Sequence, residues 1–435
     1  MHNFKLRNPC RDQIEVQWNC IDQLIPHDHK ARKIWEFVEK MDITPCFIAV
    51  NTFDGAVGRP ATSPKVLFAL WIYSILDGNS SARKLEELCE NHNAYKWMAG
   101  GVQINRTMLA EFRSSNTSKF EDLLTNCLAV LVKTGLIKDE DFAQDGTRIK
   151  ANAGFTSYRR EESLQKLKEE MAMRIRQLDA EIATNPNAYD ERKKAEKKRL
   201  AEDCKNRIDE ALKNLEAIRE EKEENGKKYR QPPKDEDLKE VRVSTTDPEA
   251  RKMKMGDGGF RLAYNVQFAT GISSRVIFGV DVVNTLDPGT APRMMAKVST
   301  RLKKLGLSEF KNWVADAAYS GKEDVETIAL FFPNCCYYAP PKTRKGVDPK
   351  KILKTDSEAI VKWRKMIDSE EVMNVYKNRC STAEFSNAQV KNRGLREFSI
   401  RGLIKAKGVA LLHAISQNIA RYFDLNTEKM RTTTA

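Results

Sequence analysis

The stretch from Arg159 to Glu224 constrains the architecture of this chain more than any other. It is dominated by Lys, Arg, Glu and Asp, yet it keeps two narrow apolar stripes. Leu164, Leu167, Met171, Ile175, Leu178 and Ile182 step by 3, 4, 4, 3 and 4 residues, the spacing of a helix face that packs on another helix. Leu200, Cys204, Ile208, Leu212 and Leu215 form a second stripe, and Thr184-Asn185-Pro186-Asn187 breaks the chain between them. The two helices are expected to zip together as a helical hairpin, a coiled coil inserted over residues 159–226 into another domain. Their charges then form a solvated face.

Residues 1–138 read as an all-α N-terminal domain. Ile34, Phe37 and Val38 recur at helical spacing within His29 to Met41. Thr62-Ser63-Pro64 offers a cap and a first-turn proline to Val66–Leu76, which is nearly all apolar and therefore expected to be buried. Shorter helices fit Ser81 to Asn91 and Asn105 to Ser114, with Arg106 and Arg113 expected on an exposed face. A longer one fits Lys119 to Thr134. Two short helices joined by a turn, the second carrying arginine, suit a helix-turn-helix DNA reader. They equally suit two members of a bundle.

Charge decides what kind of partner such a chain seeks. Lys and Arg number 74 against 61 Asp and Glu, a formal surplus of +13. That favours an anionic polymer, and the Lys193 to Arg199 run could touch DNA. No uninterrupted apolar window reaches spanning length and the start has no signal-peptide core, so a cytoplasmic, non-membrane protein is expected. Nine cysteines are scattered without a Cys-x-x-Cys, and there are only five histidines. A zinc site is not legible. Any metal would be held by carboxylates, which selects a hard ion such as Mg²⁺.

Three acids stand where such an ion could sit. Asp145-Gly146 is a hairpin-turn pair, but the flanking residues alternate poorly. The other reading puts Asp145 on or just past a short strand as a metal-binding carboxylate, with Arg148 and Lys150 near a phosphate. Strands are expected at Leu262 to Ala269 and Arg275 to Val283, turning at Thr270-Gly271. Asn312 to Ala315 is a strand that delivers Asp316 to its C-terminal end, where open sheets place ligands. Ser320 is the expected cap of the helix from Lys322 to Phe331, and Cys335 to Ala339 is a further strand. From Tyr376 to Lys391 a helix follows, capped by Ser381 or Thr382 and helical from Ala383. On it Glu384 and Lys391 lie two turns apart on one face, with Asn387 and Ala388 between them. Ser381-x-x-Glu384 is also a capping-box spacing that needs no function. Gly402 to Tyr422 is a last, largely apolar helix. One acid closes the first strand, one closes the fourth and one sits on a late helix, which is the order of an RNase H-like sheet. Three carboxylates at its centre would bind two Mg²⁺ ions for in-line phosphoryl displacement. Asp281 and Asp287 are further acids near strand ends.

On these residues the chain resembles a bacterial insertion-sequence transposase of the DDE, RNase H-like, cut-and-paste kind. Tyr376-x2-Arg379-x4-Glu384-x6-Lys391 is similar to the family's Y-R-E-K signature, with four residues between Arg and Glu where three are usual. Gln144-Asp145-Gly146-Thr147 is similar to the first-acid motif and Val314-Ala315-Asp316 to the second. Ser244 to Arg251 and Ala263 to Gln267 also resemble segments of the family.

The resemblance implies an RNase H-like catalytic domain over 139–425 and a disordered tail over 426–435. It implies that Asp145, Asp316 and Glu384 are catalytic and hold two Mg²⁺ ions, with Mn²⁺ as a substitute. It implies that Tyr376, Arg379 and Lys391 grip the DNA backbone and that the N-terminal helices bind terminal inverted repeats. The partners implied are double-stranded DNA, both element ends and target, and a second copy of the chain in a homodimer on DNA. A nucleoid location follows. The rival readings are a decayed or domesticated transposase that holds DNA without cutting it, against which the three intact acids speak, and a different RNase H-like nuclease.

Overall fold

The computed structural model describes residues 20–47, 60–184, 188–228, 231–342, 348, 351–367 and 369–434. The centre is a mixed sheet. Its first strand, β1 (Asp141–Lys150), is preceded among the described residues by helices only. Two short strands, β2 (Tyr158–Arg160) and β3 (Arg242–Ser244), pair with each other at the base of the charged hairpin. Then come β4 (Arg251–Lys254), β5 (Phe260–Gly271), β6 (Ile277–Val283), β7 (Asn312–Val314) and β8 (Cys336–Tyr338). The path across the sheet is β4-β5-β1-β7-β8, with β6 also paired to β5. Antiparallel partner β5 flanks β1 on one side, and parallel β7, followed by β8, lies on the other.

This placement explains why β1 alternates poorly. Phe142, Ala143 and Gln144 are buried in succession, where β5 lies on one edge and β7 joins the other over 141–143, so period-2 polarity is not demanded there; from Thr147 the strand does alternate, with Thr147 and Ile149 buried and Arg148 and Lys150 partly exposed. Asp145-Gly146 lies inside the strand, not at a turn and not at its end. Asp145 pairs with Phe268 and Gly146 with Gln267. The real reversal between β5 and β6 lies beyond Gly271, in 272–276, later than the expected Thr270-Gly271. Asp139 holds it by accepting the Ser273 and Ser274 amides at 3.0 and 2.9 Å.

The charged insertion is a pair of long helices, Glu161–Thr184 and Ala188–Lys228. Ion pairs Arg219–Glu161, Lys168–Asp209 and Lys198–Asp179 run in opposite chain order, so the helices are antiparallel. Leu164, Ile208, Ala211 and Leu215 share a small core with Val241 and Val243. One stripe residue departs from expectation: Leu200 is 56% exposed, and its neighbour Ala201 is buried instead. The break at 185–187 lies outside the described residues.

The N-terminal helices fall close to their expected bounds: Lys30–Lys40, Pro64–Leu76, Ala82–Asn91, Arg106–Ser115 and Lys119–Lys133. Ser81 and Asn105 cap as their positions predict, accepting the Lys84 and Met108 amides. One buried apolar cluster runs from these helices through the sheet to the C-terminal helix, Leu403–Thr434. The boundary near 138 is therefore a change from helix to strand within a continuous core. The stretch expected as a tail from 426 is helical through Thr434. Every described cysteine is free. No described helix is long and apolar enough to cross a membrane.

The C-terminal helix joins the two halves. Asn418 is fully buried, accepts the Ile277 amide and donates to the Ile277 carbonyl, both at 2.8 Å. Its side chain thus completes the start of β6 as another strand would. Asn418→Leu keeps the volume but strands two buried backbone groups. The expected cost is about 2–4 kcal/mol, read as a lower urea midpoint with unchanged slope.

Candidate active site

The chemistry gathers where one helix crosses the sheet. That helix spans Glu370–Asn392, with Ser369 at its N-cap. It begins well before the expected start at Ala383, which moves Ser381 and Thr382 into its interior. Ser381 Oγ donates back to the Asn378 carbonyl at 3.0 Å, as a mid-helix serine does. The capping-box account of Glu384 is thereby removed, because a capping box needs a helix terminus. Val372 and Ala383 seat the helix on Ala143, Val314 and Tyr338 of the sheet. Ser386 meets Thr270 of β5 at 3.1 Å.

This seating brings Asn387 onto Asp145. Asn387 Nδ2 donates to Asp145 Oδ2 at 2.9 Å, while Asp145 Oδ1 accepts the Gly146 amide at 2.9 Å. Asp316 leaves the end of β7 and caps the short 3₁₀ turn Ala317–Tyr319, accepting the Ala318 amide at 2.8 Å. The helix Lys322–Phe331 is entered from Gly321, so the capping role expected of Ser320 falls to neither Ser320 nor Asp316. The Asp145 carboxyl is pushed up to about 6, first by burial and then by the negative charge of Asp316, with Asp287 adding to it. Arg379 and the Gly146 amide pull the other way.

Glu384 is exposed, one turn before Asn387 on the same helix. Among the described residues no three His, Cys, Asp or Glu side chains converge as a ready metal cluster. The structure therefore brings together Asp145 and Asp316 and leaves Glu384 outside that pair. Arg379 is partly buried, with its guanidinium 5.6 Å from the Tyr376 ring centroid, and Tyr376 stands edge-on to Tyr338 at 4.9 Å. Burial alone would lower the Arg379 pKa, but Tyr376, Cys380, Asp145 and Asp316 raise it. Lys391 is lowered by burial and held up by Asp145. Arg148 pairs with Asp287 at 3.4 Å and Lys150 with Glu397 at 3.0 Å. Arg106 is exposed as expected, whereas Arg113 is 6% exposed and bonds Ser80 and Ser399, because its side of the helix packs on the molecule.

The two unranked acids separate cleanly. Asp281 is neutralised by Lys297 and Arg293. Asp287 enters a buried polar cluster behind Asp145. It accepts from Asn265 and Gln267, each at 2.9 Å, and from the Tyr319 hydroxyl at 3.4 Å. Gln267 also accepts from Tyr319 and Gln144, and Trp313 donates to Gln144. A Cβ on Gly146 would collide with Asn265, Gln267 and Asp287, so glycine is needed inside this strand. The sequence signal for the cluster was Asn265 and Gln267 alternating within an apolar strand, which puts both amides on one face.

The donors present suit a hard divalent cation. They are oxygens only, two carboxylates repel each other, and Asn387 Oδ1 is buried without a partner. A cation would relieve both the repulsion and the orphaned oxygen.

Two parts of the chain match known families. Residues 19–115 match the family described as Transposase domain (DUF772). Residues 315–423 match the family described as Transposase DDE domain, a span that contains Asp316, Tyr376, Arg379, Glu384 and Lys391. The matches support the resemblance to an insertion-sequence DDE transposase. No curated protein and no solved structure matches the chain.

The raised Asp145 pKa has a stability sign. The unfolded carboxyl ionises near the ordinary aspartate value of 3.8 and the folded one at about 6, so stability falls as pH rises through that window. Asp145→Asn is expected to stabilise the metal-free protein by about 1–3 kcal/mol at pH 7.5. The gain should vanish below pH 4, measured by urea unfolding at both pH values.

Proposed function

We propose that this chain is a transposase that binds the terminal inverted repeats of an insertion sequence and catalyses metal-dependent cleavage and strand transfer. The observation that carries the reading is the Asp145–Asp316 pair beneath the helix of Glu384, with Arg379 and Lys391 of that helix charged toward the same place. The strand order, with antiparallel β5 and parallel β7 and β8 around β1, supports an RNase H-like catalytic domain. The hairpin is its insertion. The two transposase matches support DNA as substrate.

On this reading Asp145 and Asp316 hold divalent cations together with Glu384, whose exposed carboxylate stands one turn from Asn387. Mg²⁺, or Mn²⁺ in its place, supplies positive charge to the attacking and leaving oxygens of an in-line displacement. Asn387 keeps Asp145 oriented through its Nδ2 bond. Arg379, fixed over Tyr376, holds the scissile phosphate with a forked set of donors, and Lys391 holds a neighbouring phosphate as a point charge. In the first step a water oxygen bonds to phosphorus and the bond to the 3′ oxygen breaks, leaving a 3′-hydroxyl. In the second that hydroxyl attacks a target phosphodiester, so one ester replaces another without a covalent enzyme intermediate. Arg148 and Lys150 must exchange their carboxylate partners for phosphate if they touch DNA. Two element ends need two sites, hence a homodimer on DNA.

A Mg²⁺-dependent assay on a labelled terminal-repeat duplex tests this, with binding measured in parallel. Wild type should cleave. Glu384→Gln and Asp316→Asn should lose cleavage by roughly 10³-fold or more while retaining binding. Binding without cleavage in all three proteins would favour a decayed, DNA-holding transposase, and no binding would sink the reading.

A further inference from the structure

Away from the carboxylates, a groove of about 830 Å³ opens between the N-terminal helices and the segment that follows the site helix. Arg83 and Arg106 enter it from two N-terminal helices, and Arg401 and Lys405 from the opposite wall. All four are exposed, and among the described residues none forms an ion pair. Two partly or fully buried cations on another helix are paired instead: Lys297 takes Asp281, and Arg301 takes Glu121. Among the described residues Glu111 is the one carboxylate lining the groove.

Arg113 lies against the same groove and is nearly fully buried. Its guanidinium bonds the Ser80 carbonyl at 2.9 Å and Ser399 Oγ at 3.3 Å, and lies 4.6 Å from the Trp71 ring centroid. Among the described residues no carboxylate meets it, and its Nε is buried without a partner. A buried cation with no counter-charge is costly, and an anion seated in the groove offsets that cost. The adjoining helix starts do not compete for the anion. Ser81, Glu86 and Glu249 already accept the Lys84, Arg106 and Leu403 amides. Side-chain charge therefore defines the site.

We infer that this groove is a seat for the phosphate backbone of duplex DNA, built jointly by the N-terminal helices and the catalytic part. The inference rests on the transposase reading and extends it, since it makes the two parts one binding surface. Asn152, seven residues beyond Asp145 along the chain of β1, also borders the groove. At about 3.3 Å per residue the seat lies roughly 20 Å from the carboxylates, or about six base pairs along a duplex. One duplex can thus reach both.

The test is salt-dependent binding of a random-sequence 30-base-pair duplex, followed by fluorescence anisotropy. The full chain is compared with Arg83→Ala/Arg106→Ala/Arg401→Ala/Lys405→Ala. A second variant, Lys166→Ala/Lys213→Ala/Lys222→Ala/Lys227→Ala, removes the same charge from the hairpin. The groove variant should bind roughly tenfold or more weakly at 0.15 M salt, and its log–log salt slope should flatten by about 3–4. The hairpin variant should stay near wild type. Equal losses in both variants, or no loss in the groove variant, would overturn the assignment. So would a loss seen only with single-stranded DNA or RNA. Absence of binding by the unaltered chain would instead remove the transposase reading and this one with it. Matched thermal melting of the three proteins guards against unfolding as the cause.

Discussion

Asp145 sits in the middle of a strand that β5 pairs along its length, only partly exposed and close to a second carboxylate, and most of the site follows from that. Its charge is disfavoured by burial and by Asp316 and Asp287, and the donors and cations around it offset part of that. The Gly146 amide and Asn387 Nδ2 hold its two oxygens. Arg379 and Lys391 lie within electrostatic reach of it. Behind it, the amides of Asn265 and Gln267 fix Asp287. A site strained toward protonation in this way is one that a divalent cation would stabilise.

The helix Glu370–Asn392 turns this electrostatic problem into a position. Its apolar seat on Ala143, Val314 and Tyr338 is small, but it fixes which turn of the helix faces β1. Asn387 occupies that turn, Arg379 lies two turns earlier and Lys391 one turn later. The C-terminal helix locks the sheet to the N-terminal helices through Asn418 and through a core shared by both. The basic groove lies along that same junction, so the rigidity of the joint is what would set the distance between a gripped backbone and the acids.

Much of this was legible in the sequence wherever one periodicity ruled. The N-terminal helices, the hairpin stripes and the strand before Asp316 carry their patterns locally. What was not legible depends on partners distant in the chain. Arg113 looks exposed on its own helix and is buried because Trp71, Ser80 and Ser399, all distant in the chain, come together over it. The Glu370 start of the site helix was hidden because Ser381 and Thr382 imitate a cap while the true N-cap, Ser369, is an equally ordinary serine. Asp287 and Asp281 are indistinguishable as letters. Asp281 is met by Lys297 and Arg293 of the following helix, and Asp287 by the amides of Asn265 and Gln267 with Arg148 at 3.4 Å, a difference that only the folded arrangement creates.

On the proposed reading Asp145, Asp316 and Glu384 together surround a divalent cation, although Glu384 stands outside the carboxylate pair. Fe²⁺ in place of Mg²⁺, with ascorbate and peroxide, generates hydroxyl radicals that cut the backbone beside the bound ion. Cuts are expected near residues 145, 316 and 384, all suppressed by excess Mg²⁺. Cuts near 145 and 316 without any near 384, or cuts elsewhere in the chain, would contradict it.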